Sequence, residues 1–257
     1  MVGGASTLNT AATIDANVAG NATTLGSGFT STINNTGTIR SSNGNNLSVQ
    51  PTNFNNAGTV DAGVGTTITL GSGEVQSGGT TRVNGNLALA ASTSLVLNGG
   101  TLSGNGTIGS VSGTISVLNN GGTVSPGNSP GTLALNGNYT QGAAGSLFID
   151  LASASSSDLF NVGGSAALDG TLDINLFGGF APTLGESFTF LNYASHTGTF
   201  AHIVSLNPGY GYSVAYNANN AVISVTEAAL STPEPGVWAM LAGLGLTTVS
   251  VLRRRKR

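Results

Sequence analysis

Apolar residues alternate with small polar ones in short runs along most of the chain. Leu47-Ser-Val49, Ile68-Thr-Leu70, Leu87-Ala-Leu89 and Ile115-Ser-Val117 each set aliphatic side chains two apart. That spacing puts them on one face of a strand and the intervening residue on the other. Asn and Gly punctuate the runs, and both accept the left-handed backbone that tight corners require.

The pattern repeats at a fixed step. Ile33-Asn-Asn-Thr-Gly-Thr-Ile39, Phe54-Asn-Asn-Ala-Gly-Thr-Val60, Val75-Gln-Ser-Gly-Gly-Thr-Thr81, Val96-Leu-Asn-Gly-Gly-Thr-Leu102 and Leu118-Asn-Asn-Gly-Gly-Thr-Val124 align on glycines 37, 58, 79, 100 and 122. An apolar residue stands four before each glycine, and in four of the five units another stands two after it. A period of 21 or 22 residues belongs to solenoids. Leucine-rich repeats share this step, but their Leu-x-x-Leu-x-Leu pattern and helical half are absent. The prediction for residues 1–124 is therefore an all-β, right-handed parallel β-helix, with two or three short strands per coil and aliphatics stacked inside. Five coils at ~4.8 Å per strand spacing rise about 24 Å.

From Ser125 the register changes. Ser-Pro-Gly-Asn-Ser-Pro-Gly-Thr-Leu-Ala-Leu-Asn-Gly-Asn-Tyr-Thr-Gln at 125–141, Gly145-Ser-Leu-Phe-Ile-Asp-Leu151 and Asp158-Leu-Phe-Asn-Val162 resemble the end of the β-helix passenger region of autotransporter-like bacterial surface proteins. The resemblance spans roughly residues 97–226. Longer alternating runs at 172–176, 187–193, 212–216 and 222–226 read as a C-terminal cap, because an open solenoid end exposes unpaired strand edges. Residues 125–226 are thus expected to hold terminal coils and a β-rich cap, and 227–235 a linker. An autotransporter would continue into a large membrane barrel, and a different tail occupies that place.

In the tail, Ser-Thr-Pro-Glu-Pro ends at Pro235, Gly236 to Leu252 carry no charge, and Arg253, Arg254, Arg255, Lys256 and Arg257 close the chain. The prolines favour an extended, accessible segment at 233–235. The 17 residues of 236–252 predict a transmembrane helix of about 25 Å, slightly short of a ~30 Å hydrocarbon core and able to span it if flanking side chains snorkel. Trp238 suits one interface, and the five terminal cations suit a cytoplasmic end. These three parts, in this order at 231–257, resemble the PEP-CTERM sorting signal of Gram-negative bacteria. The resemblance implies processing by a membrane-embedded exosortase, with Pro233, Glu234 and Pro235 as the recognition motif. It also implies an exported protein associated with exopolysaccharide and biofilm matrix. Met1 to Leu8 offer neither a basic nor an apolar leader segment, so the chain is expected to be an N-terminally truncated piece of a longer protein.

Composition narrows the function. Only 7% of residues are charged and 40 are glycine, which disfavours salt-bridged helices, while 39% hydrophobic residues argue against disorder. Before residue 233 there are two arginines, Arg40 and Arg82, against nine acids. Such a surface cannot neutralise a run of phosphates, which excludes nucleic-acid binding. The absence of cysteine rules out disulfides, thiolate metal sites and a cysteine nucleophile.

Catalytic chemistry finds little material. Arg40 and Asp61 lie 21 apart and are expected to meet across adjacent coils as an exposed ion pair, with Glu74 and Arg82 nearby in sequence. His196 and His202 lack a third metal ligand. Asp169 and Asp173 read as two carboxylates on one strand face, a minimal calcium motif. No catalytic, metal or cofactor site is assigned. The expectation is a non-enzymatic, adhesin-like structural protein of the cell surface or matrix, whose precursor is held in the inner membrane by its tail. The alternative is a carbohydrate-active β-helix enzyme whose catalytic region lies in the missing N-terminal part.

Overall fold

The computed structural model describes residues 6–16, 23–25, 31–110 and 112–229. Alternation decides the local structure. In Thr59–Ala62, Thr67–Leu70 and Ser94–Leu97, as in most of the short strands, every second side chain is buried and the residues between face outward. Strands this short cannot bury enough surface alone, so each stacks on its equivalents in neighbouring coils.

The result is a three-walled parallel β-solenoid. Wall A holds nine strands, from Ser6–Thr10 to Ser195–Gly198. Wall B holds nine stacked strands, from Thr13–Ala16 to His202–Ser205. Wall C runs in parallel from Thr23–Leu25 to Ser187–Asn192 and then ends in two antiparallel strands, Asn220–Glu227 and Gly211–Tyr216. The described residues contain no helix, so none is present there that could cross a membrane.

The core is a set of columns. In wall A, Ile33, Phe54, Glu74, Leu95, Val117 and Tyr139 stand in register over six coils. In wall C, Leu47, Ile68, Leu87 and Ile108 do the same. All but Glu74 are apolar over most of their surface, and all are buried. Tyr139 meets Phe160 edge to face at 5.0 Å, closing the core where the coils lengthen.

One sequence expectation is corrected. Thr171–Leu176 and Ser187–Asn192, expected in the cap, pair in parallel within walls B and C. Among the described residues the antiparallel pair Gly211–Tyr216 and Asn220–Glu227 caps the stack: it extends wall C, and its Tyr216 reaches His196 of wall A. Alternation marks a strand but not its partner. Ile115-Ser-Val117 and Leu87–Leu89 share the alternation but not the wall: the first opens wall A, and the second pairs in wall C with Thr107–Ser110.

Candidate functional site

The repeated Gly-Thr pair forms the corner between walls A and B. A Cβ on Gly58 would overlap the carbonyl oxygen of Gly37, and one on Gly79 would overlap that of Gly58. The same stacking recurs at Gly100 and Gly170. The threonine amides complete the corner: Thr59 N–H donates to Gly37 O at 2.7 Å, Thr80 N–H to Gly58 O at 2.8 Å and Thr101 N–H to Gly79 O at 3.0 Å. Backbone thus packs on backbone, with no room for a side chain.

Buried amides hold this corner from inside. Asn35 Nδ2 donates to Thr59 O, Gln76 Nε2 to Thr101 O, Asn119 Nδ2 to Ser146 O and Gln141 Nε2 to Thr171 O, at 2.9–3.2 Å. Each links the end of one wall A strand to the corner residue of the next coil. Sequence reasoning treats these asparagines as turn residues. The available signal was their fixed place, two before the corner glycine at 35 and 56.

The outward rows differ in charge from wall to wall. On the parallel strands of wall A the outward residues are Thr, Asn, Ser, Val, Leu and Ala, with Asn55 Nδ2 donating to Asn34 Oδ1 and Asn34 Nδ2 to Asn9 Oδ1, both at 2.8 Å. The outward positions of wall C from Asn46 to Asn161 are also without an ionisable group. Charge is concentrated on wall B, where Asp15, Arg40, Asp61 and Arg82 form one register row of alternating sign. Arg40 pairs with Asp15 at 2.6 Å, and Arg82 approaches Asp61 at 3.4 Å. The Arg40 hydrogen bond holds the Asp15 carboxyl below its usual range. Like charges never meet in the row, so a slip of one coil would juxtapose them.

The sequence candidates are dispersed. Arg40 and Asp61 are register partners, as the 21-residue step implies, but the Arg40 ion pair is made to Asp15. Glu74 turns into the core rather than toward Arg82. His196 sits in wall A against Tyr193 and Tyr216, with ring centroids 4.9 and 5.7 Å away, while His202 begins the last strand of wall B. Asp169 lies on the corner before Thr171–Leu176 and caps Gly170 N–H; Asp173 is on the strand and accepts from Ser146 Oγ at 2.9 Å. The two do not share a strand face. No group of three His, Asp or Glu side chains is placed to hold a metal among the described residues. Pro233, Glu234, Pro235, Trp238 and the cations 253–257 lie outside the described residues.

A carboxylate network missed in the sequence sits where the Ser-Pro-Gly motif folds. Asp158, fully buried, accepts from Gly131 N–H at 2.9 Å and from Asp150 N–H at 3.0 Å. Asp150 in turn accepts from Asn175 Nδ2 at 2.6 Å and from the Ser129 hydroxyl. A Cβ on Gly127 would overlap Asp158 Oδ1, so the motif's glycine makes room for the carboxyl. These partners are donors from the chain itself, which makes this a tie between coils.

An open hollow of about 520 Å³ lies among Thr114, Asn136, Asn138 and neighbouring glycines. Its lining carries no ionisable side chain and so no acid–base group. The fold and its surfaces define a parallel β-solenoid with two uncharged polar faces and one charge-patterned face. No protein-family model matches the chain, and no curated protein matches it.

Proposed function

We propose that this chain is an exported, adhesin-like structural protein of a Gram-negative envelope or extracellular matrix, built on a right-handed β-helix and sorted through a PEP-CTERM tail. Right-handed winding is the sense that parallel strand crossovers adopt. The observation that carries the reading is the uncharged, hydroxyl- and amide-rich outward surface of walls A and C. Such faces offer rows of donors and acceptors at the ~4.8 Å strand spacing without attracting ions, a surface chemistry suited to exopolysaccharide. The tail supplies the route: the Pro233-Glu234-Pro235 motif is read by an exosortase, residues 236–252 hold the precursor in the inner membrane, and the five cations keep its end in the cytoplasm.

The test is the intact mass of the C-terminus after expression behind a signal peptide in a Gram-negative host, with and without an exosortase. The expected product ends near residues 233–235 only when the protease is present. A chain that still ends at Arg257 in both hosts overturns sorting and leaves a plain membrane anchor. Binding of the released body to neutral matrix glycan is expected to persist in 1 M salt, because its contact faces carry no charge to screen. Loss of binding between 0.1 and 1 M salt would move the contact to wall B.

A further inference from the structure

We propose that Glu74 is a proton-operated latch: as a neutral carboxylic acid it closes a hydrogen-bond chain across the solenoid core, and losing its proton loosens the coil it begins. The side chain occupies a core column between Phe54 and Leu95, where the other coils place Ile33, Val117 or Tyr139. It is fully buried.

A count of hydrogens favours the neutral form. Gln76 Nε2 faces Gly99 O at 3.3 Å and Thr101 O at 3.2 Å, which turns Gln76 Oε1 toward Thr81. Thr81 Oγ1 lies 2.6 Å from that oxygen, and its single proton is the donor available for the contact. The same Oγ1 lies 2.8 Å from Glu74 Oε1. With one threonine proton for two oxygens, both contacts are hydrogen bonds only if Glu74 brings a proton of its own. Asn56 Nδ2 then donates to Glu74 Oε1 at 2.9 Å, and Glu74 Oε2 has no partner.

Among the described residues no cation relieves an ionised Glu74. The neighbours facing it from the adjacent strands are Phe54 and Asn56 below, Leu95 above, and Thr81 across the corner. None of them titrates. The charged residues of the flanking wall B strands, Asp61 and Arg82, point outward, with side chains 25% and 48% exposed. An anion here faces threonine and glutamine oxygens and two apolar surfaces, which is costly without a countercharge.

Burial pushes the Glu74 carboxyl up from 4.5 to about 7, outweighing the Asn56 amide that donates to it. The closed coil therefore holds the proton more tightly than an open one. Closure is strongest below about pH 4.5, weakens as the pH rises toward 7 and levels off above it.

Hydrogen exchange of the full-length chain at pH 6 and pH 8.5, corrected for intrinsic rates, tests the latch. Local opening over residues 74–97 is expected to rise about tenfold between the two pH values in the wild type. Residues 31–41 should show no comparable rise. Glu74→Gln cannot ionise and should flatten the profile; Glu74→Leu, which restores the aliphatic column, should flatten it as well and serves where the amide fails to pack. A wild type without the rise, or an equal rise in either folded variant, overturns the proposal.

Discussion

Gly79→Ala should cost on the order of 4 kcal/mol or more, measured by denaturant unfolding, while Gly65→Ala costs about 1 kcal/mol. The two glycines have nearly the same backbone, with φ of +63° and +72°, so the strain of placing alanine in the left-handed region is shared. They differ in what a Cβ would meet. At Gly65 there is nothing within 4 Å, whereas at Gly79 the methyl group would overlap the Gly58 carbonyl and crowd that of Ala57 at 2.7 Å. Relief requires spreading two coils, which lengthens the 2.8 Å bond from Thr80 N–H to Gly58 O. Gly58→Ala isolates the stacking term, because its Cβ would overlap Gly37 O although its φ is not positive. Equal costs at positions 65 and 79 would show that the stack absorbs a methyl group and that close packing is not why the glycine repeats.

This contact also explains what could be read from the sequence. A step of 21 residues was visible because each coil must bring its corner backbone against the corner below, and only glycine leaves the space. The step then grows: after Gly122 the corners fall at Gly145 and Gly170. Those longer coils carry insertions that hide the period while the parallel pairing continues.

The interior polar groups were not legible for a different reason. An Asn-Asn pair reads as a turn, yet Asn35 and Asn56 are buried and bridge coils, with Asn35 Nδ2 donating to Asn56 Oδ1 at 2.9 Å. Alternation assigns the first asparagine outward and the second inward, and a polar residue at an inward position is easily taken for the strand's end. Glu74 is the sharper case. A charged residue type was counted with the exposed acids, and only the register beneath Leu95 reveals its place in a core column.

Asp158→Ala is expected to lower stability by roughly 3 kcal/mol near pH 7, because it leaves two buried amide donors, Gly131 N–H and Asp150 N–H, without an acceptor. Asp158→Asn keeps one oxygen and should lose about half as much. The pH dependence separates the carboxyl's charge from its shape. Burial raises the Asp158 carboxyl from 3.8 to about 6, opposed by the Asp150 and Gly131 amides and reinforced by the Asp150 carboxylate. Its folded pKa lies above its unfolded one, so the proton is bound more tightly in the folded state. The stabilisation from this group is complete below about pH 3.8 and is lost as the pH rises to about 6. Urea unfolding at pH 4 and pH 7.5 should therefore show wild type losing stability over this interval and Asp158→Asn losing less. A wild type that gains stability between these values, as surface carboxylates alone would give, would mean that Asp158 is ionised throughout and that the amides outweigh its burial.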